Sequence, residues 1–424
     1  MALALLPCKA SNTHEAADNA FIRTEGIHFY KGRSTEPMYF LGTNLWYGPI
    51  LGSKGEGGNR QRLRAELDSL HALGVNNLRI LAGADAGSKN ANTVTPYLQP
   101  RPGELNESLL EGLDYMLDEM HKRSMTAVIY LTNSWDWSGG FGFYLKNVGL
   151  GDSPDAHGEG YNRYVDYARM FFHSQQAQQL YHRFVEQIVT RRNSVNGAAY
   201  ADDPTIMAWQ LCNEPRPFGK EEVPAFVKWV EETAALIKKH DAHHLVSTGS
   251  EGVIGCNVDE ALCERIHSLP GIDYMTVHIW PANWGWAKRS RLYDDLPNVY
   301  VKAKEYLEMH DRIARTINRP YVVEEFGYPR DNNLYTPGSR CGARDSFYGF
   351  IFANLIDSKT SGGPMAGCNF WGWGGSGRPA GEVWQSGNDY LCDPPHEPQG
   401  WYSVFDSDAT TIMAIREAAA KLNN

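Results

Sequence analysis

The stretch Trp209-Gln210-Leu211-Cys212-Asn213-Glu214-Pro215 decides how this chain is read. Asp203-Pro204 marks a turn before it and Thr205-Ile206-Met207-Ala208 is a short apolar run, so the segment reads as a buried strand. Pro215, Pro217 and Gly219 follow, so the strand stops abruptly and a loop begins. A glutamate at such a junction is half desolvated, an environment that shifts a carboxyl's affinity for its proton. An isolated Asn-Glu-Pro reads as a capped or salt-bridged glutamate. Here a second strand ends alike, in Tyr321-Val322-Val323-Glu324-Glu325-Phe326-Gly327. Two strand-end glutamates so far apart in sequence point to a pair of catalytic carboxylates, Glu214 and Glu325.

Outward from this strand, strand-like and helix-like segments alternate. Strands are predicted at 38–42, 77–81, 126–131, 206–211, 245–248, 274–277, 321–324 and 367–370. Between and after them, helical patterns run over 60–73, 104–123, 175–192, 224–240, 259–266, 301–317, 347–358 and 411–422. The first helix carries Leu63, Leu67 and Leu70 on one stripe; the second carries Leu109, Leu113, Met116, Leu117 and Met120. Eight β/α pairs predict an α/β fold, a single (β/α)₈ TIM barrel with long loops at its carboxyl-terminal face. No Pro/Ser-rich linker divides them, and the first strand lacks the Gly-rich phosphate loop of an open doubly wound sheet. Residues 21–424 are therefore read as one catalytic domain, with the segment around Gly26 a hairpin covering the barrel bottom. Active residues belong at the carboxyl ends of the strands. Those ends collect Asn44-Leu45-Trp46, Arg79, Asn133-Ser134-Trp135, Asn213-Glu214, Ser250-Glu251, His278-Ile279-Trp280, Glu325 and Trp371-Gly372-Trp373.

The 424 residues are 42% hydrophobic and 21% charged, ordinary for a globular chain, and the net charge of −10 argues against nucleic acid or an anionic membrane as partner. With 12 Trp and 22 Tyr, often beside Gly, Asn and Asp, the chain is suited to sugars, whose C–H faces stack on rings while their hydroxyls seek polar partners. Residues 1–20 are read as a disordered leader or signal-peptide remnant, with Cys8 a candidate lipid-anchored cysteine that Pro7 fits poorly. Export is the resulting expectation: periplasmic, outer-membrane-anchored or secreted. Seven cysteines show no metal spacing; they fit a few bridges at most, and Cys256 and Cys263 are near enough in sequence to pair.

Leu78-Arg79, Asn213-Glu214-Pro215, His278-Ile279-Trp280-Pro281, Glu325-Phe326-Gly327 and Phe370-Trp371, in this order and spacing, resemble the family 5 glycoside hydrolases of the large retaining (β/α)₈ clan, in particular their β-mannanase/β-mannosidase branch. The resemblance covers the chain from about residue 21. It implies Glu214 as acid/base and Glu325 as nucleophile, two carboxyls that a retaining enzyme holds about 5–5.5 Å apart. It implies Arg79 as the donor keeping Glu325 ionised, Asn213 on the sugar 2-OH, His278 in the network at the nucleophile and Trp371 as the sugar floor. Glu324, one residue earlier on the strand, is expected to point the other way. Trp46, Asn133, Trp135 and Trp280 complete the expected substrate-binding set. Each has a plainer reading: Arg79 as a structural ion-pair partner, His278 as a satisfied barrel-end histidine, the tryptophans as core or lid packing.

Two departures refine the branch. Where much of the family carries His-x-Tyr after the sixth strand, this chain has His278-Ile279-Trp280, so the tyrosine's bond to the nucleophile is absent or supplied elsewhere. After the third strand, Thr132-Asn133-Ser134-Trp135 resembles the branch's Asn-Asn-Trp. The resemblance thus implies cleavage of β-1,4-mannosidic bonds in mannan or manno-oligosaccharides, with no cofactor and no metal, by a monomer. The long segment Gly374–Ala409 after the eighth strand is expected to fold over the glycone side and favour exo-action. An open cleft would instead make an endo-β-1,4-mannanase, and loss of catalytic function would leave a glycan-binding barrel.

Overall fold

The computed structural model describes residues 21–87 and 93–423; the leader expected over residues 1–20, Cys8 included, lies outside them. Eight strands form one parallel sheet: β1 (Phe40–Asn44), β2 (Asn77–Leu81), β3 (Thr126–Tyr130), β4 (Ile206–Gln210), β5 (Leu245–Ser247), β6 (Met275–Ile279), β7 (Tyr321–Phe326) and β8 (Met365–Phe370). Their order, β5-β4-β3-β2-β1-β8-β7-β6, is that of a barrel opened at one seam. Bonds from Asp273 N to Val246 O (2.8 Å) and from His278 N to Glu251 O (3.2 Å) span the seam, so the sheet is nearly closed. Helices α1 (Arg60–Ala72), α2 (Glu107–His121), α3 (Gln175–Val189), α4 (Val223–His240), α5 (Glu260–His267), α6 (Leu296–Ile317), α7 (Gly342–Ser361) and α8 (Ala409–Asn423) alternate with the strands. The chain is a TIM barrel.

Strands covered on both faces are mostly apolar, and β1, β2, β4 and β6 are buried at every position, polar residues such as Arg79 and Gln210 included. The helices start where side chains satisfy the free N–H groups of the first turn. Asn59, Asn106, Ser174 and Asp259 each accept such a bond, opening α1, α2, α3 and α5. The apolar stripe of α2 (Leu109, Leu113, Met116, Leu117, Met120) is buried as its spacing predicts. At the bottom, the hairpin Ile22–Glu25 and His28–Lys31 sets Phe29 against Phe40 and Tyr274, with ring centroids 6.3 and 5.4 Å away.

The loops at the opposite end carry more structure than their composition suggests. Short helices occupy Gly48–Gly52 after β1, and Gly140–Asn147 and Tyr161–Ala168 after β3. Glycines at 139, 140, 149, 151 and 160 interrupt any apolar period there, which is why the pattern reads as loop. The six described cysteines are free thiols, so the bridges expected from cysteine number are absent among the described residues, although Cys256 and Cys263 are neighbours.

Asp85, 2% exposed, ties the loop after β2 to the loop after β3, accepting from Gln99 Nε2 (2.7 Å) and Thr132 Oγ1 (3.5 Å). Burial pushes its carboxyl up to about 8, against the pull of Gln99, Gly140 and Thr132. A raised carboxyl contributes fully to stability only below its unfolded value, and the contribution drains away as pH climbs to the folded one. Wild type relative to Asp85→Asn is therefore expected to lose up to ~1.4 kcal/mol per pH unit between about pH 4 and about pH 8, then level off. Urea unfolding of both proteins across that range measures it, and a difference independent of pH would contradict the burial cost.

Candidate active site

The carboxyl ends of the strands surround a cavity of about 460 Å³ whose walls include Trp135, Asn213, Glu214, Trp280, Glu325 and Trp371. Two backbone bonds anchor the β4 end, Asn213 N to Thr132 O (2.8 Å) and Glu214 N to Gly249 O (2.9 Å). Glu214 itself has a φ of 50°, the left-handed region, which costs a residue with a Cβ ~1 kcal/mol or more. That turn swings its carboxylate into the cavity.

At the β7 end the expected alternation fails. Val277 pairs with Val323, but the next residue of β6, His278, pairs with Glu325, so Glu324 is an extra residue in the ladder. On the other side Cys368 pairs with Val323 and Phe370 with Phe326, again one residue out of step. This bulge lets consecutive glutamates both face the barrel interior, whereas regular pleating would have turned Glu324 away. Glu325 reaches the cavity; Glu324 lies beneath it.

Arg79, fully buried on β2, joins the parts. Its Nη1 donates to Glu325 Oε1 and to Asn44 Oδ1 (3.2 Å), its Nη2 to Asn213 Oδ1 (2.8 Å) and its Nε to Gln210 Oε1 (2.8 Å). The guanidinium also lies over the Tyr130 ring, 4.5 Å from its centroid. Trp280 Nε1 donates to Glu325 Oε2 (3.2 Å), supplying the contact that the missing tyrosine would have made. His278 Nδ1 sits between the two carboxylates, 2.8 Å from Glu214 Oε1 and 3.3 Å from Glu325 Oε2, and Trp135 Nε1 donates to Glu214 Oε2 (2.6 Å).

One oxygen of each glutamate and a ring nitrogen of His278 lie within 4.8 Å of one another. Two carboxyls this close leave no room for a water between them and the sugar, which is the spacing of a retaining rather than an inverting pair. Each of the four carboxylate oxygens has a protein nitrogen within hydrogen-bond distance: Arg79 and Trp280 at Glu325, His278 and Trp135 at Glu214. Burial raises both carboxyls; at Glu214 the pull of His278, Arg216 and Trp135 outweighs it, while at Glu325 the Glu214 charge adds to it against His278 and Arg79, so a proton taken up here belongs to the pair rather than to either carboxyl. The two titrate as a unit. Position distinguishes their roles: the Glu325 side chain is 3% exposed and locked to Arg79, while that of Glu214 is 12% exposed and open to a leaving oxygen and then to water.

The remaining expected residues divide into lining and support. Trp135, Trp280 and Trp371 line the cavity. Asn133 is buried behind it, fixing Asn213 (Nδ2 to Oδ1, 3.2 Å) and the Trp135 backbone (3.1 Å). Trp46 does not reach the cavity: it is 2% exposed and donates to Cys392 O (2.8 Å), a core residue beneath the loop after β8. Sequence reading missed His157, Asn283, His396 and Glu397, all of which line the cavity. The sole signal for the last two is their place in the long segment after β8, where the aromatics Trp384, Tyr390, Trp401 and Tyr402 draw attention first. Those four are buried anchors, and the polar pair between them faces the site.

A barrel with two glutamates on opposing strand ends, a histidine between them and a buried guanidinium on one of them has the arrangement of a retaining glycoside hydrolase. Residues 19–424 match the model of the GH family 5 beta-mannosidase-like family, and the chain belongs to that family. It is 34% identical to a glycoside hydrolase family 5 mannosidase from Rhizomucor miehei solved with mannosyl-fructose, with a TM-score of 0.88 over 96% of this chain and 98% of that one. It is 29% identical to mannan endo-1,4-beta-mannosidase 1 of Oryza sativa subsp. japonica, over 83% of this chain and 78% of that protein. The endo-1,4-beta-D-mannanase of Thermotoga petrophila shares the fold at a TM-score of 0.67 and 24% identity, over 90% of this chain and 99% of that one.

If Trp280 stabilises the Glu325 anion, Trp280→Phe should raise the affinity of Glu325 for its proton. The acid limb of kcat/KM is then expected to move up by ~0.5–1 pH unit, with KM raised by the lost wall contact. A pH–rate profile on an aryl glycoside measures it; an unmoved limb would assign Trp280 to packing alone.

Proposed function

We propose that this enzyme hydrolyses β-1,4-mannosidic bonds by double displacement and that it removes single mannose units from the non-reducing ends of manno-oligosaccharides. In the first step Glu325 attacks the anomeric carbon while Glu214 gives its proton to the departing sugar oxygen, leaving a glycosyl ester on Glu325. In the second, Glu214 takes a proton from water, which attacks the same carbon and frees Glu325. Arg79 and Trp280 hold the nucleophile through both steps; His278 joins the two carboxylates. The sugar acted on is proposed from the mannosidases and mannanases to which the chain is similar.

The observation that carries the exo reading is a wall across one end of the cavity. His396, from the loop after β8, stacks between Trp137 and His157 of the loop after β3, with ring centroids 6.0 and 4.9 Å away. Pro394 and Glu397 continue the wall. Buried His396 Nδ1 and Glu397 Oε2 lack protein partners, unusual for interior polar atoms and suited to the hydroxyls of a terminal sugar. The wall is firmly tied down. Arg62 holds Gly374 O (3.1 Å) and Tyr390 O (3.0 Å), Arg330 grips both oxygens of Asp408 (2.8 and 2.6 Å), and Asp393 accepts from the backbone at 400 and 402 (2.9 and 2.6 Å).

An endo-acting enzyme is the second reading, favoured by the names of the plant relatives, mannan endo-1,4-beta-mannosidases. A product time course on mannohexaose labelled at its reducing end separates the two, with Glu214→Ala and Glu325→Ala as controls expected to lose at least ~1,000-fold in kcat. The expected result is mannose from the outset and label stepping down one sugar at a time. Early mannobiose and mannotriose would sink the exo reading, and an inert wild type would sink the substrate.

A further inference from the structure

Glu324 is a buried carboxylate that double displacement does not use, yet it shares the cation on which the nucleophile depends. It is 1% exposed. Its Oε1 accepts from Tyr274 OH (3.0 Å), its Oε2 accepts from Gln210 Nε2 and lies 3.6 Å from Arg79 Nε. Gln210 forms the link: its Oε1 takes the Arg79 Nε proton while its Nε2 faces Glu324. An amide held this way cannot flip without setting N–H against N–H and oxygen against carboxylate. The Glu324 carbonyl in turn accepts from Asn44 Nδ2 (2.8 Å), which turns Asn44 Oδ1 towards Arg79 Nη1.

An arginine facing a lone carboxylate forms a two-pronged pair, Nε with Nη or Nη with Nη. Here the prongs are distributed. Nε goes to Gln210 beside Glu324, Nη2 to Asn213, and Nη1 is divided between Asn44 and Glu325. We propose that Glu324 is a positioning residue for glycosyl transfer: by orienting the Gln210 amide that takes the Arg79 Nε proton, and by standing 3.6 Å from that nitrogen itself, it helps confine Glu325 to one guanidinium prong and retains part of the counter-charge, leaving the nucleophile basic enough to attack. The strand bulge is what makes this possible, since it brings two successive carboxylates to one cation.

Other groups act on the same charges. Glu325 is faced by Arg79 from β2, Tyr130 from β3, Glu214 after β4, His278 and Trp280 at β6, and Cys392 and Glu397 from the loop after β8. Glu324 is faced by Arg79, His278 and Tyr274, and burial pushes its carboxyl up while Arg79, Gln210 and Tyr274 oppose that. Arg79 is the cation paired with both carboxylates.

The inference rests on Glu325 being the nucleophile, and one reagent tests the two separately. 2-Deoxy-2-fluoro-β-mannosyl fluoride loses fluoride to an attacking carboxylate and leaves a slowly hydrolysed α-mannosyl ester. Peptide mapping of the labelled wild type must find the ester on Glu325; failure there overturns the nucleophile assignment itself. The pH dependence of the labelling rate then tests Glu324. Removing a negative charge beside Glu325 lowers its affinity for the proton, so Glu324→Gln is expected to move the acid limb down by ~1 pH unit and to slow labelling ~10-fold on the plateau. Glu324→Asp, which keeps the charge, is expected to restore the limb towards its wild-type position. Tyr274→Phe removes one donor to the Glu324 anion, and with it the longer contact from Gln210 Nε2 (3.4 Å), and is expected to move the limb the same way by less, a second route if Glu324→Gln does not fold. Limbs unmoved in both Glu324→Gln and Tyr274→Phe, with only the melting temperature lowered, would make Glu324 a structural residue and overturn the proposal.

Discussion

The buried guanidinium of Arg79 is the charge around which the mouth of the barrel is arranged. A cation removed from water is tolerated only if its donors are used and opposite charge is near. Arg79 meets both conditions with residues from β1, β4 and β7, so one side chain on β2 fixes the relative positions of Asn44, Gln210, Asn213, Glu324 and Glu325. These are the residues that must not drift if a nucleophile is to meet an anomeric carbon, where an error of about an ångström costs ~100-fold in rate. The barrel supplies rigid strands, and Arg79 converts their rigidity into a fixed direction for Glu325.

The second constraint is the long segment after β8. A loop of that length has a large ordering cost, and this one offsets it with buried ion pairs and with one short parallel strand pair, Trp373–Gly375 against Val404–Phe405. Arg62 with Glu66 on α1 fixes its start, where Trp373 Nε1 and Ser376 bind the Glu66 carboxylate (2.8 and 2.9 Å). Arg330 and Arg344 with Asp408 fix its end. Gly372 marks how closely the segment approaches β8, because a Cβ there would stand 1.8 Å from Cys392 Sγ. Held at both ends and in the middle by Asp393, the loop presents His396 and Glu397 to the cavity as part of a built wall, and the exo reading depends on that rigidity.

How much of this was legible in the sequence follows from the range of the interactions. The barrel was legible because each β/α pair carries its own local period, and Glu214 and Glu325 because their strands end abruptly in Pro and Gly. Arg79, His278 and Trp280 were accessible through motif resemblance. The orientation of Glu324 was not legible, because a bulge is a property of the pairing between strands and leaves no trace in the apolar pattern of one. Trp46 misled for a related reason. An aromatic at a strand end has the same sequence signature whether it faces sugar or core, and its partner, Cys392, lies 346 residues away. His396 and Glu397 form their part of the wall only by meeting Trp137 and His157 from the far side of the mouth, a contact no local window contains.

Two carboxylates with oxygens within 4.8 Å of each other are placed to act by double displacement. Proton NMR of the first minutes of hydrolysis of an aryl β-mannoside tests it most directly, because the anomer released is seen before mutarotation mixes the two forms. Double displacement releases β-mannose first, with the α form growing in only as mutarotation proceeds. The α anomer appearing first would mean a single displacement by water, and would contradict both the role of Glu325 and the reading of Arg79 as the residue that aims it.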